Sequence, residues 1–102
     1  MQMIMEVEIP NEPFNTLVKK GTVVETLQGI LDDIGPSAAY FSEQNGQRGA
    51  FLVVEVPEPS RIPGLAEPFF VRFDANVKFR VCMTPEDFAR SGIEEIGRKL
   101  AS

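Results

Sequence analysis

The sequence predicts a single α+β domain in which an antiparallel sheet carries helices on one face. Three observations predict this class. The chain has 102 residues, 43% of them hydrophobic and 25% charged, which suits one globular domain. Some segments alternate apolar and polar residues, and others repeat apolar residues every three or four positions. Residues 1–102 are assigned to one domain, because this length leaves no room for a second core.

The first strand and the first helical stretch are separated by a proline. Residues 3–9 alternate as a half-buried strand does, and Pro10 ends the pattern. Apolar residues then recur at helical spacing over residues 12–34, with Asn11 as the expected N-cap. Gly21 lies inside this stretch and weakens a helix, so we expect close packing or a break near it.

A hairpin and a second helix come next. Residues 37–43 and 49–56 are β-rich, and the Asn-Gly dipeptide at 45–46 is typical of a tight hairpin turn. Helical spacing returns over residues 60–73, where Pro68 is expected to kink or split the helix.

A final strand and helix complete the chain. Residues 76–83 alternate again. Thr84 then caps a helix with Pro85 in its first position, and the apolar stripe of this helix extends to Leu100.

This order of elements is the split βαβ arrangement of a ferredoxin-like domain with an additional C-terminal helix. Both crossover helices need the same sheet face, so the opposite face stays open in a single chain. We expect Glu6, Glu8, Lys78 and Arg80 on that open face, because the first and last strands are neighbours. One possibility is that these four residues form solvated ion pairs between the strands. The other is that a second sheet closes over them to form a cavity. In that cavity Arg80 or Lys78 would hold an anionic ligand, and Glu6 or Glu8 would take a proton.

Composition excludes several kinds of chemistry. The chain has no His, so one chain cannot form a Ser-His-Asp or Cys-His pair or offer His to zinc or haem. Its net charge is −5 and its basic residues are scattered, which disfavours nucleic-acid binding. The longest apolar run, residues 50–54, is too short to span a membrane. Without a secretory signal, the protein is expected to be cytoplasmic.

Four segments resemble a set of small bacterial proteins within the dimeric α+β barrel superfamily. The resemblance to this set implies no particular reaction. The resemblance covers nearly the whole chain and implies a ferredoxin-like dimeric α+β barrel, with a homodimer formed through the open sheet face. The segments are Ala39-Tyr40-Phe41, Asn45-Gly46-Gln47-Arg48, Ile62-Pro63-Gly64-Leu65-Ala66-Glu67-Pro68-Phe69-Phe70 and Met83-Thr84-Pro85-Glu86-Asp87.

The superfamily includes muconolactone-isomerase-like enzymes, cofactor-independent monooxygenases, stress-responsive barrels and haem-dependent enzymes. The missing His counts against the haem-dependent members, because the chain lacks that axial ligand. The missing Trp prevents a monooxygenase arrangement that relies on Trp from being carried over. Fold alone does not assign a function.

Three residues are predicted to be catalytic. Arg80 would position a substrate carboxylate, and the hydroxyl of Tyr40, the single tyrosine, would steady developing negative charge. Glu67 would move a proton, since its apolar surroundings would raise the pKa of its carboxyl. The alternatives are that Tyr40 is an amphipathic strand residue with its tip at the surface and that Glu67 belongs to the acidic first turn of a split helix.

The predicted ligand-binding residues are Lys78, Glu6, Glu8, Phe69 and Phe73. The two phenylalanines would line a pocket for an aromatic or hydrophobic acid, or else they pack in the core.

No metal or cofactor is predicted. Asp32 and Asp33 are two adjacent carboxylates without further clustered ligands, a weak metal signal. Cys82 is the single cysteine, which rules out a disulfide within one chain, and it lacks a His partner for nucleophilic chemistry.

Two functions remain open. The first is a cofactor-independent isomerase or monooxygenase acting on a small hydrophobic or aromatic acid. The second is a non-catalytic dimeric binding or stress-response module whose open face serves self-association.

Overall fold

The structure is a computed structural model and describes residues 1–101. Its elements are β1 (Gln2–Ile9), α1 (Phe14–Lys20), α2 (Val23–Ile34), β2 (Ala38–Gln44), β3 (Gln47–Glu55), a 3-10 turn (Pro59–Arg61), α3 (Ile62–Phe73), β4 (Asn76–Val81), α4 (Pro85–Arg90) and α5 (Ile93–Ala101).

The four strands form one antiparallel sheet in the order β2-β3-β1-β4. In this order β1 is central, with β3 on one side and β4 on the other, so strands far apart in the chain become neighbours. The order is that of a ferredoxin-like domain and confirms the predicted fold class.

The core lies between the sheet and the helices α1 to α3. Met5 and Val7 of β1 are fully buried, as are Leu52 of β3 and Phe73 of α3. Each such side chain contributes about 1.5–3 kcal/mol relative to the exposed state. The alternation seen in the sequence therefore identified the helix-facing side of β1.

The predicted helix over residues 12–34 is two helices, because the chain turns at Gly21. Gly21 has a φ of 73°, and its N–H donates to the carbonyls of Leu17 and Val18. The break expected near Gly21 is confirmed. The prediction of Asn11 as N-cap is wrong, since no side chain caps α1 from that position; instead, Glu12 Oε1 accepts the N–H and hydroxyl of Thr16 at 3.0 and 2.8 Å.

The predicted hairpin is confirmed. Asn45 and Gly46 have φ values of 53° and 79°, and positive values at both central residues are typical of a type I′ turn. Of the two effects expected of Pro68, a kink or a split, the split does not occur, since α3 continues through this residue. Pro68 removes the hydrogen bond to the Gly64 carbonyl, but Gly64 is exposed, so water can satisfy that carbonyl.

The chain after β4 forms two short helices where one was predicted. Gly92 has a φ of 76°, which separates α4 from α5. Thr84 is the predicted N-cap of α4, and it forms a reciprocal capping box with Asp87. No helix within residues 1–101 is long and apolar enough to cross a membrane.

Candidate functional site: the open sheet face

One face of the sheet carries no helices, and the strand register identifies its residues. Residues directly opposite each other on antiparallel strands point to the same face. One row across the sheet consists of Tyr40, Phe51, Glu6 and Lys78. Half of this row is aromatic and half is charged.

The rows on either side complete the surface, which we call the open face. The row towards the start of β1 contains Ala38, Val53, Ile4 and Arg80. The row towards the end of β1 contains Ser42, Gly49, Glu8 and Asn76. The open face therefore combines an apolar patch over β2 and β3 with charged groups on β1 and β4.

Gly49 allows close packing at one corner of the open face. A Cβ atom at this position would lie 2.7 Å from the Cβ of Gln44 and 3.1 Å from the Val7 carbonyl oxygen. The Ser42 carbonyl oxygen would be 3.2 Å away. A side chain here must displace the backbone of its neighbours, so the glycine is required sterically.

The shortest polar contact on the open face joins the neighbouring strands β1 and β4. Arg80 donates from Nε and Nη2 to Glu6 Oε2, at 3.2 and 3.0 Å. The side chain of Glu6 is 16% exposed, whereas that of Arg80 is 69% exposed. The guanidinium thus keeps donors directed to solvent.

Arg80 also controls the ionisation of Glu6. The hydrogen bond from Arg80 lowers the pKa of the Glu6 carboxyl below its usual value of 4.5. Partial desolvation opposes this effect, while the charges of Arg80 and Lys78 and a hydrogen bond from Gln44 reinforce it. Glu6 is therefore a carboxylate at neutral pH.

Tyr40 and Glu8 also lie on the open face, and their side chains make few hydrogen bonds. Tyr40 is 69% exposed, and its hydroxyl makes no hydrogen bond within residues 1–101. Glu8 Oε2 accepts from Asn45 Nδ2 at 3.4 Å, a long contact that joins β1 to the hairpin turn. Both side chains are free to contact a second molecule.

The structure separates Glu67 from the other predicted catalytic residues. Glu67 is exposed on α3, on the far side of the sheet from Tyr40 and Arg80, and lines a groove between α2 and α3. Helix geometry explains this placement. Glu67 is two positions from the buried Phe69, about 200° around the helix axis, so it must point away from the core.

The two predicted pocket phenylalanines lie in the core. Phe69 is 1% exposed and Phe73 is fully buried, where its ring packs 5.4 Å from that of Phe14. A ligand would reach these rings only by displacing core side chains. The structure thus brings together Glu6, Glu8, Lys78, Arg80 and Tyr40, and leaves Phe69, Phe73 and Glu67 elsewhere.

The apolar half of the open face was absent from the predicted site. Phe51 and Val53 alternate along β3 with the buried Leu52 and Val54. That alternation was the available signal: once the inner residues are assigned to the core, Phe51 and Val53 must lie on the open face. No group of three or more His, Cys, Asp or Glu residues within residues 1–101 is arranged to hold a metal ion.

The strand order, the one-sided helix layer and the open face define a ferredoxin-like α+β domain. One solved structure with this fold is 5-chloro-2-hydroxyhydroquinone dehydrochlorinase (TftG) from Burkholderia phenoliruptrix, in complex with 2,5-dihydroxybenzoquinone. The two chains are 14% identical, with a TM-score of 0.54 over 85% of this chain and 99% of TftG. By sequence, the chain matches no family profile and no curated protein.

Proposed function

We propose that the chain forms a homodimer through the open face and binds a small aromatic or hydrophobic acid between the two sheets. The observation that carries this proposal is the joint presence of an apolar patch and a cationic edge on one uncovered sheet face. Phe51, Val53 and Tyr40 would contact the apolar body of the ligand, and Arg80 or Lys78 would hold its carboxylate.

Dimerisation supplies what a single sheet lacks. A flat face exposes a ligand to water, whereas two such faces packed together exclude water and strengthen each polar contact. The fold shared with TftG supports this arrangement, since that structure holds a small quinone. Apolar side chains on a sheet face that no helix covers also favour association.

The geometry suggests a proton-transfer role for Glu6. In the free chain Arg80 holds Glu6 ionised. A carboxylate ligand that binds Arg80 would weaken the hydrogen bond from Arg80 to Glu6, which would raise the pKa of Glu6. Exclusion of water between the two sheets would raise this pKa again. Glu6 would then exchange a proton with the ligand, and the Tyr40 hydroxyl would stabilise negative charge on it. Such proton exchange is the chemistry of a cofactor-independent isomerase in the cytoplasm; a monooxygenase would use the same deprotonation and take dioxygen as its oxidant.

A non-catalytic binding module is the second candidate, and one observation favours it. Within residues 1–101 no polar or charged residue is fully buried, so the single chain holds no acid or base that is wholly shielded from water. The same open face would then serve association and ligand capture alone.

Sedimentation of matched variants tests the dimer. Phe51→Asp places a charge in the centre of the open face and should convert the wild-type dimer to a monomer. Val71→Asp is the control, because Val71 is 78% exposed on the outer side of α3 and should leave the dimer intact. A wild-type chain that sediments as a monomer at micromolar concentration would refute the proposed function.

Ligand binding is tested with benzoate and 2,5-dihydroxybenzoquinone as probes. Amide shifts in NMR titrations should concentrate on β1, β3 and β4. Arg80→Gln should weaken benzoate binding about tenfold to a hundredfold, the usual cost of losing a hydrogen bond to a charged group. Arg90→Gln, on the exposed helix α4, is the control. Shifts confined to the helical side of the sheet would contradict the proposal.

A further inference from the structure

The helices after β4 have an apolar surface that no other part of residues 1–101 covers. We call residues 83–101, which contain α4 and α5, the C-terminal arm. Every residue from Phe88 to Ala101 is exposed. The exposed residues include Phe88, and also Ile93, Ile96 and Leu100, whose spacing of three and four residues places them on one side of α5.

The sequence of the arm nevertheless contains clear signals for both of its helices. The Thr84–Asp87 capping box begins α4, and α5 has two acidic residues in its first turn and two basic residues in its last. Helices of this length are marginal in water without tertiary packing. An encoded helix with an uncovered apolar stripe therefore indicates a packing partner.

The arm does not pack on its own domain. A compact chain of this length has a radius of gyration of about 13 Å, whereas that of the described residues is 17.5 Å. The longest dimension is 64 Å, against 28 and 19 Å for the other two. The arm thus extends the molecule beyond the sheet and the three core helices.

A surface of matching chemistry lies at the opposite edge of the sheet. The helix layer leaves the outer side of β2 partly uncovered, so Phe41 is 56% exposed and Val24 of α2 is 76% exposed. Between them lies a largely apolar groove of about 420 Å³, which we call the β2 groove. Arg48 at its rim offers a positive charge to the acidic first turn of α5.

We propose that the arm of each chain packs in the β2 groove of a second copy of the same chain. This inference rests on the dimer proposed above. The arm follows β4, and β4 and β2 are the two edges of the sheet. If the two open faces pack about a two-fold axis along the strands, edge β4 of one copy lies beside edge β2 of the other. β4 ends level with Met3 of β1, whereas the β2 groove lies near Ile9, roughly 20 Å away along the strands. The arm must therefore run back along edge β2, and nineteen residues, about 28 Å long as helix, cover that distance. The exchange is then reciprocal, so each dimer covers two arms and two grooves.

The amount of surface supports this assignment. A stable interface of standard size uses about 20–30 residues from each partner. The open face alone is a short patch across four strands, and the arm adds nineteen residues, 83–101, to the same contact. The open face and the arm together reach the size that a stable dimer needs.

Cysteine cross-linking between two differently labelled chains tests the arm position. Both chains carry Cys82→Ser; one carries Ile96→Cys and the other, with a purification tag, carries Phe41→Cys. The expected result is a disulfide-linked heterodimer under mild oxidation. Val71→Cys in place of Phe41→Cys is the control and should give little product. Equal yields from the two pairs would overturn the proposal.

Two further results separate this inference from the dimer itself. Ile96→Asp should raise the dimer dissociation constant at least tenfold, while Phe51→Asp abolishes the dimer. If Ile96→Asp dimerises as tightly as the wild type, the arm inference fails and the open-face dimer stands. With both cysteines in one chain, an intrachain disulfide at monomer mass would show that the arm folds back on its own groove, which also overturns the exchange.

Discussion

Arg80 donates both Nε and Nη2 to a single oxygen of Glu6, although in the strand register Arg80 stands opposite Ile4. The contact is therefore diagonal, and the residue directly opposite Glu6 is Lys78. Within residues 1–101 the Lys78 ammonium makes no hydrogen bond or close ion pair and acts on Glu6 only through its charge, whereas Arg80 binds Glu6 directly. An anion thus meets one uncommitted cation and one that is shared.

Arg80→Gln is expected to raise the pKa of Glu6 towards its usual value of 4.5, because Arg80 is the main cause of its lowering. A carboxyl with a lowered pKa in the folded state stabilises the fold above its unfolded pKa, and this contribution is lost as pH falls through the lowered value. The stability difference between wild type and variant should therefore be largest near neutral pH and vanish in acid.

The measurement is an NMR titration of the Glu6 side-chain carboxyl carbon, with urea unfolding at neutral and acid pH. Arg90→Gln is the control, since Arg90 pairs with Asp87 in the C-terminal arm. An unchanged Glu6 midpoint in Arg80→Gln would show that the diagonal contact does not form in solution.

Gly49→Ala is expected to destabilise the fold by roughly 1–3 kcal/mol, the usual cost of overpacking. The added Cβ would come within 2.7 Å of the Gln44 Cβ and close to two backbone oxygens. Gly29→Ala is the matched control. A Cβ on Gly29, inside α2, meets nothing within 4 Å, so alanine should stabilise that helix by about 1 kcal/mol. Urea unfolding should show a lower free energy of unfolding than the wild type for Gly49→Ala and a higher one for Gly29→Ala.

Phe73→Ala is expected to cost about 3–5 kcal/mol of folding free energy, because it leaves a cavity where the ring packed against Phe14. Phe70→Ala should cost far less, since Phe70 is 39% exposed on the same helix. Thermal unfolding measures both. If Phe73→Ala kept wild-type stability and lost ligand binding, the predicted pocket role of Phe73 would replace its core role.

Tyr40 is the single tyrosine in a chain without Trp, so intrinsic emission reports this residue alone. Because Tyr40 lies on the open face, we expect acrylamide to quench its emission less as protein concentration rises and dimers form. Phe51→Asp should be quenched strongly at every concentration. Quenching that does not depend on concentration in the wild type would place Tyr40 outside the interface.

The sequence predicted most of the fold, because local rules governed those elements. Alternation placed Met5 and Val7 inside and Glu6 outside, and the Asn-Gly dipeptide at 45–46 marked the hairpin. The errors fell at helix ends and breaks. At the start of α1, Glu12 accepts the hydrogen bond that was expected of Asn11, because neighbouring polar side chains differ little in capping strength. Gly92 ends α4, although the apolar spacing of the sequence continues into α5.

The candidate site was only partly predictable. The sequence grouped Glu6, Glu8, Lys78 and Arg80 correctly on one face, because strand parity decides the direction of each side chain. It also included Glu67 and Phe73, which lie on the far side of the sheet and in the core.

By itself, the sequence determined the class of fold, the inner side of the first and last strands and the absence of histidine chemistry within one chain, since these follow from local periodicity and composition. Only the tertiary structure decided that Arg80 binds Glu6 diagonally, that Phe51 faces Tyr40, and that the C-terminal helices extend away from the domain. Contacts between residues far apart in the chain depend on register and packing, which no local pattern contains.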